Sequence, residues 1–321
     1  MRMVVADRPG SPEVLKLTET PDPHPTPGQV RIAVEYAAVT FIDTQLRAGT
    51  SAAPPPGFPV VLGNGVGGRI DEVGDDVDRD WLGTAVVAAT GGTGGYASAV
   101  VIEPTALHRV PTNLALAEAT AVLADGRTAL ALIRRASITA DDMVIVTAAA
   151  GGVGTLLVQL ASAAGAGVIA LAGSDDKLIH AREHGAQQAI NYRHPDWERQ
   201  LTGGAANGVT TVFDGVGGST SATLTQQLRS AGHYLQYGTA SGAPGNVSSH
   251  DLGRRHITMS SLADLIAGPE DNASLVDTAL DLAAQGRLRP VIGQTYPLAA
   301  AASAHTDIEA RHTNGKTLLL P

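Results

Sequence analysis

The chain has 321 residues, no cysteine and a formal net charge of −9. It can form no disulfide, thiolate zinc site or iron–sulfur cluster, and it has no thiol nucleophile. An acidic chain without a Lys/Arg cluster lacks the basic stripe that nucleic-acid phosphates require, so nucleic acid is not an expected partner. The length exceeds one hydrophobic core and predicts two domains. Aromatics are only 3 % of residues, so those cores must be built from Ala, Val and Leu. Met1-Arg2-Met3-Val4-Val5 runs into charged residues without the apolar core of a signal peptide. No run approaches the ~18 apolar residues of a membrane span. The expectation is a soluble cytoplasmic protein with no membrane partner.

The first third alternates strand patterns with Pro/Gly turns. Gln29-Val30-Arg31-Ile32-Ala33-Val34-Glu35-Tyr36 follows Pro27-Gly28 with period two, which predicts a half-buried strand leaving a turn. Gly68-Arg69-Ile70-Asp71-Glu72-Val73-Gly74 repeats the pattern. Residues 84–89 and 97–102 read as two further strands around the flexible loop Gly91-Gly92-Thr93-Gly94-Gly95, and Pro54-Pro55-Pro56-Gly57 as an irregular loop. Residues 1–114 thus form a β-rich domain.

From 115 onward the texture changes. A helix is predicted over 115–135, a buried strand over 142–146, a Gly-rich turn, a helix over 155–164 and a strand over 167–172. The helix over 175–183 is closed by His184-Gly185, with glycine as its C-cap. Strands follow at 189–192, 210–214 and 232–238. Strands alternating with helices pair in parallel through right-handed crossovers, so residues 115–262 are expected to be an α/β doubly wound sheet. In 263–321, a helical stretch from about 271 ends in the strand-like Lys316-Thr317-Leu318-Leu319-Leu320, expected to return to the first domain.

The strand Val144-Ile145-Val146 runs into Thr147-Ala148-Ala149-Ala150-Gly151-Gly152-Val153-Gly154 and then a helix. This is an A-x-x-G-x-x-G spacing between strand and helix, with Ala148 where a dinucleotide fold usually places its first Gly. Small residues at Ala150, Gly151, Gly152 and Val153 let the backbone approach a pyrophosphate, and the helix N-terminus supplies N–H groups and partial positive charge. Gly154 would let the helix pack closely on the sheet. The end of the next strand selects the cofactor. NAD sites usually carry a carboxylate there for the ribose hydroxyls; here the strand ends in Ala172-Gly173-Ser174, and Lys177 follows one turn into the next helix. That combination favours NADPH. Ser174 and Lys177 read equally as an N-cap and a solvated side chain, and Asp175 and Asp176 weigh against a phosphate.

In this order the residues resemble the medium-chain dehydrogenase/reductase superfamily, and within it the zinc-free quinone oxidoreductase branch that includes zeta-crystallin. The markers are Thr40-Phe41-Ile42-Asp43, Leu62-Gly63-Asn64-Gly65-Val66-Gly67-Gly68, Gly126-Arg127-Thr128-Ala129, the loop from Ala148 to Gly154, Phe213-Asp214-Gly215-Val216-Gly217-Gly218, Tyr237-Gly238-Thr239-Ala240-Ser241-Gly242 and Arg311-His312-Thr313-Asn314-Gly315-Lys316. The resemblance implies a GroES-like catalytic domain, a Rossmann domain and a cofactor in the cleft between them. It implies that Gly173, Lys177, Tyr192 and Arg311 surround the adenosine 2′-phosphate, that Thr128 lies near the nicotinamide, and that Tyr237 and Ser241 lie along the cofactor. On residue type alone, Tyr192 reads as well as a packing residue and Arg311 as a surface arginine. The zinc-binding relatives need a Cys three residues before the Asp and a Gly-His-Glu motif; this chain has Thr40 and Gly63-Asn64-Gly65 there. No zinc site is expected.

Without a metal, hydride transfer to an electron-poor quinone or α,β-unsaturated carbonyl is the chemistry left, because the resulting oxyanion is delocalised. Pocket candidates are Thr40, Asp43, Arg47, Asn64, Asp125 and Arg127. Thr40 departs from the Asn usual in the branch, and Gln45 and Ser51 stand where it often carries tyrosines. Asp125 and Arg127 could contact a polar substrate or form an ion pair; Asp43 could instead cap the following turn. Two alternatives stand beside a quinone reductase: an enoyl reductase of a biosynthetic pathway, and a non-catalytic NADPH-binding redox sensor or structural protein. The resemblance also implies a homodimer, with Ile257-Thr258-Met259-Ser260-Ser261-Leu262 as the sheet edge it would cover.

Overall fold

The computed structural model describes residues 1–51, 57–203, 208–266 and 272–321, without the side chains of 202, 203, 265 and 266. Positions 54–56 of the expected proline loop lie outside the described residues. The chain divides into two compact units, Met1–Ala124 with Val276–Pro321, and Asp125–Leu275.

The first unit opens with β1 (Arg2–Ala6), β2 (Leu15–Glu19), β3 (Val30–Val39), helix α1 (Phe41–Ala48), β4 (Val60–Val61), β5 (Gly65–Val73), β6 (Ala85–Ala89), β7 (Ala99–Ile102) and β8 (Leu107–Arg109). Helix α2 (Leu116–Ala136) follows. Along β3 the alternation seen in the sequence becomes burial: Val30, Ile32 and Val34 point inward and join Ile70, Val86 and Leu319 in one core. Strand β5 starts three residues before its predicted first residue, at Gly65. Close packing explains its glycines: a Cβ on Gly67 would stand 1.9 Å from Thr120 Oγ1, and one on Gly68 2.1 Å from the Ala33 carbonyl oxygen.

The second unit runs β9 (Met143–Val146), α3 (Gly152–Ala163), β10 (Gly167–Ala172), α4 (Asp175–Glu183), β11 (Gln188–Asn191), α5 (Trp197–Gly203), β12 (Val209–Asp214), α6 (Thr220–Gln227), β13 (Leu228–Gln236), α7 (Ser249–Arg254), β14 (Thr258–Ser261) and α8 (Leu262–Ile266). The six strands stand in the order β11-β10-β9-β12-β13-β14, and the pairings are parallel. This is the expected doubly wound Rossmann sheet. The chain winds outward from β9 through β10 to β11, then crosses to β12 and winds the other way. The loops after β9 and β12 therefore diverge at neighbouring strand ends, the switch point where such sheets bind ligands.

Helix α9 (Asn272–Ala284), β15 (Ile292–Pro297), α10 (Ala301–Glu309) and β16 (Lys316–Leu320) complete the chain. Strand β16 pairs antiparallel with β3, Thr317 opposite Val39 and Leu319 opposite Ala37, in the sheet β15-β16-β3-β5-β6-β8.

Candidate functional site

At the switch point of the second unit, Ala148 takes a left-handed φ of 48°. This reverses the chain after Thr147, and Gly151 N–H closes the turn on the Ala148 carbonyl at 2.8 Å. The loop is tied sideways, Ala149 N–H to Leu171 O at 3.1 Å and Thr147 N–H to Phe213 O at 3.0 Å. Helix α3 begins at Gly152 instead of the expected 155, because Gly151 is extended (φ −83°, ψ 172°) and serves as its N-cap. A glycine cap brings no side chain to cover the helix end. A Cβ on Gly151 would meet only the Ala148 carbonyl, 3.3 Å away, so the loop's outer face is open. At Gly154 a Cβ would stand 2.2 Å from that same carbonyl, which is why the helix can lie so close to the turn. Ala150 is buried and Val153 half-buried on the first turn.

Of Asp125 and Arg127, both on α2, Asp125 reaches this loop. A Cβ on Gly152 would sit 1.9 Å from Asp125 Oδ2, so the Asp125 carboxylate lies on the first turn of α3, where the helix dipole favours an anion. Arg127 is half-buried. Burial lowers its pKa and the charge of Asp125 opposes that shift. Thr128, the next residue, is also half-buried.

The end of β10 carries a second constellation. Gly173 leaves room for two side chains: a Cβ there would stand 3.0 Å from the Tyr192 hydroxyl and 3.4 Å from Arg193 Nε. Ser174 occupies the N-cap position of α4 without a side-chain capping bond, and Lys177 is half-buried on that helix's first turn. Asp175, an argument against phosphate in the sequence, accepts a hydrogen bond from Asn191 Nδ2 at 3.1 Å and lies 3.6 Å from His194 Nε2.

A buried carboxylate at the end of β12 organises the same strand ends. Asp214 Oδ1 accepts from Thr147 Oγ1 at 2.7 Å, Val216 N–H at 2.9 Å and Gly217 N–H at 3.1 Å. Its Oδ2 accepts from Ser221 Oγ at 2.7 Å and the Tyr234 hydroxyl at 2.5 Å. Tyr237, expected along the cofactor, packs its half-buried ring over Gly215 and donates its inward-turned hydroxyl to Thr147 O at 2.7 Å. Burial of that hydroxyl pushes its pKa up, and the charges of Asp214 and Asp125 add to the rise. Ser241 is exposed, and its hydroxyl donates to Ala243 O at 3.0 Å. Sequence reasoning missed the parts played by Asp214 and Arg193. The signals were present: a carboxylate at a strand end followed by Gly-Val-Gly-Gly, and a cation directly after Tyr192.

In the first unit, Thr40 precedes α1, and both its N–H and its hydroxyl donate to Asp43 Oδ2, at 2.7 and 2.6 Å. Asp43 is fully buried at the third position of the helix. Burial raises its pKa, and the Thr40 hydrogen bonds pull it back. Asn64 Oδ1 accepts from Gly92 N–H at 2.6 Å and so pins the Gly91–Gly95 loop. Arg47 is buried rather than lining a pocket: its guanidinium donates to the Gly10 and Thr44 carbonyls and pairs with Glu309. Arg311, half-buried at φ 60°, ends the turn after α10. Among the described residues no group of three or more His, Asp or Glu is placed to hold a metal ion. No helix among them is long and apolar enough to cross a membrane.

Behind Asp43, the buried His305 imidazole takes its Nε2 to the Tyr96 hydroxyl at 2.9 Å, and its Nδ1 has no hydrogen-bond partner. Burial, with the nearby Arg47 charge, holds its pKa down at about 3. In the unfolded chain this histidine protonates near 6.5. Between those values the unfolded state binds more protons, so stability falls as pH is lowered from 6.5. The slope tends to about 1.4 kcal/mol per pH unit. Thermal midpoints measured from pH 7 to 5 should drop for the wild type and drop less steeply for H305Q. Arg47, Tyr96, Asp43 and Glu309 are common to both proteins, so their contributions cancel in that comparison. Identical slopes would show that His305 is not the group responsible.

Known proteins resemble the chain over nearly its whole length. The family model described as "Alcohol dehydrogenase GroES-like domain" matches residues 26–112, and the one described as "Zinc-binding dehydrogenase" matches 184–319. The chain is 34% identical to the quinone oxidoreductase of Pseudomonas aeruginosa over 319 residues, 97% of each chain. It is 31% identical to a 2-haloacrylate reductase of Burkholderia sp, over 99% of this chain and 98% of that one. The crystal structure of the Escherichia coli quinone oxidoreductase complexed with NADPH superposes with a TM-score of 0.90 at 30% identity, over the whole of both chains. The fold defines a medium-chain dehydrogenase/reductase, and the chain belongs to the zinc-free quinone oxidoreductase branch of that superfamily.

Proposed function

We propose that the protein is a zinc-independent, NADPH-dependent reductase whose acceptor is a quinone or another α,β-unsaturated carbonyl. The observation that carries this reading is the strand end at Gly173, where a hydroxyl and a guanidinium converge on a bare backbone and the nearby carboxylate of Asp175 is held by Asn191 and His194. NADPH, when bound, supplies the hydride. Residues 150–153 would hold its pyrophosphate through their backbone, which the open face at Gly151 permits. Gly173, Ser174, Lys177 and Tyr192, with Arg311, would surround the 2′-phosphate; Thr128, Tyr237 and Ser241 would lie along the rest of the cofactor.

Thr40, Asn64 and Arg127 are the polar groups proposed to meet the acceptor. Asp43 acts through Thr40, whose hydroxyl and N–H it holds. Because both of its donor hydrogens go to Asp43, Thr40 offers the acceptor only oxygen lone pairs, and the donors left to stabilise a developing oxyanion are the Asn64 amide and the Arg127 guanidinium. Strand β14 is the outer strand of its sheet and exposes Met259; in this reading a second copy of the chain covers it, and light scattering should give a dimer mass.

The decisive assay measures NADPH and NADH oxidation against 1,4-benzoquinone and an enone such as methyl vinyl ketone. Turnover with NADPH on either acceptor is the expected result, and a preference for the enone would favour the enoyl-reductase reading. NADPH-stabilised melting with no oxidation across the panel would instead support a cofactor-binding protein without turnover.

A further inference from the structure

We infer that Arg193 is a ligand for the cofactor's 2′-phosphate, and that with Tyr192 it sets the preference for the phosphorylated dinucleotide. This assignment rests on the NADPH reading above. In a doubly wound sheet the end of the second strand meets the adenosine ribose: a carboxylate there selects the free 2′-hydroxyl, and an arginine accommodates the phosphate. In this chain that strand is β10, and the position beyond its end is Gly173, which has no side chain. The space a side chain would fill is bounded by Tyr192 OH at 3.0 Å and Arg193 Nε at 3.4 Å from the Cβ position. Both come from one short segment, the end of the neighbouring strand β11, which the Tyr192 N–H to Ala172 O bond at 3.1 Å fastens alongside β10.

The backbone beneath Arg193 is fixed as well, because its N–H donates to Asn191 Oδ1 at 3.0 Å. The same Asn191 donates its Nδ2 to Asp175 Oδ1, and His194 stands on the other oxygen. One asparagine therefore orients the arginine's backbone and holds the nearest carboxylate. The Arg193 side chain is solvent-exposed, while Lys177 is half-buried on the opposite element. A phosphate monoester carries close to two negative charges at neutral pH. A planar guanidinium can meet it with two parallel hydrogen bonds, which an ammonium cannot.

The test is nucleotide binding, read by NADPH and NADH fluorescence on the full chain, together with thermal shift by adenosine 2′,5′-bisphosphate and by AMP. R193Q should raise the NADPH Kd about tenfold, within the range of a charge-assisted phosphate contact, and leave the NADH Kd unchanged. The stabilisation by adenosine 2′,5′-bisphosphate should shrink toward that by AMP. R193K should lie between wild type and R193Q. Because the side chain is exposed, the melting temperature without nucleotide should not move, which excludes a folding defect. Discrimination between NADPH and NADH that survives intact in R193Q overturns the assignment while leaving the NADPH reading standing. Equal loss of NADPH and NADH affinity also overturns it. Wild-type protein that binds NADPH no more tightly than NADH overturns the NADPH reading, and the assignment falls with it.

Discussion

Replacing Gly154 with alanine should destabilise the protein by about 3 kcal/mol and raise the NADPH Kd at least tenfold, on the scale of overpacking that side-chain rotation cannot relieve. The added methyl would stand 2.2 Å from the Ala148 carbonyl oxygen and 2.9 Å from Ala149 Cα. Both are backbone atoms, so relief requires α3 to retreat from the turn or the turn to open. The turn cannot open alone: Ala149 N–H is bonded to β10 and Thr147 N–H to β12. Moving the helix displaces the N-terminal amides that would face the pyrophosphate. Gly151 provides the internal comparison, since its Cβ would meet one atom at 3.3 Å and its φ is −83°. G151A should therefore unfold close to wild type in denaturant, while G154A unfolds at a markedly lower concentration. If G154A matches wild type in both unfolding midpoint and nucleotide affinity, close helix-to-turn approach is not the reason for glycine there.

The sequence made the Rossmann unit legible because its signals are local. Periodic apolar strands and a Gly-rich turn mark β9, α3 and β10, and the predicted helix over 175–183 coincides with α4, although His184 and not glycine takes its C-cap, with Gly185 at φ 105° one position beyond. The first unit was less legible. Gly65 and Gly67 lie in β5 ahead of the strand expected from Gly68, and the reason for glycine at 67 and 68 is Thr120 and Ala33, distant in sequence. Strand β1 carries no conspicuous alternation and Leu15-Lys16-Leu17-Thr18 in β2 alternates over only four residues; pairing with each other and with β4 makes them a three-stranded sheet. The same distinction separates the site residues. The Ala148–Gly154 loop is a contiguous pattern, whereas Arg47 could be recognised as buried only once Gly10 and Glu309 were known to surround it. Asp125 likewise reads as a charge on a helix until Gly152 is seen beneath it.

Asp214 should be the most costly single polar residue of the second unit to remove. It is fully buried and accepts from Thr147, Val216, Gly217, Ser221 and Tyr234, donors contributed by the loops around β12, helix α6 and strand β13. Alanine would leave all of these donors without their acceptor. At roughly 1–3 kcal/mol for each buried group left unmatched, less whatever water restores, D214A should lose about 4 kcal/mol or more of stability. Asparagine is the sharper probe. Its oxygen can still serve one set of donors, but its NH2 then faces the other. If the NH2 takes the side of Ser221 and Tyr234, the serine hydroxyl can rotate to accept, whereas the two backbone N–H groups on the other side could not. D214N should therefore fall between wild type and D214A in denaturant midpoint. The consequence reaches the cofactor loop through Thr147, whose hydroxyl bonds Asp214 and accepts from Gly215 N–H, and whose carbonyl receives the Tyr237 hydroxyl. Loosening Thr147 frees the residue that starts the turn at Ala148, so D214N should also weaken NADPH binding under conditions where it remains folded. A folded D214N with wild-type nucleotide affinity would mean that the carboxylate supports the sheet without shaping the loop.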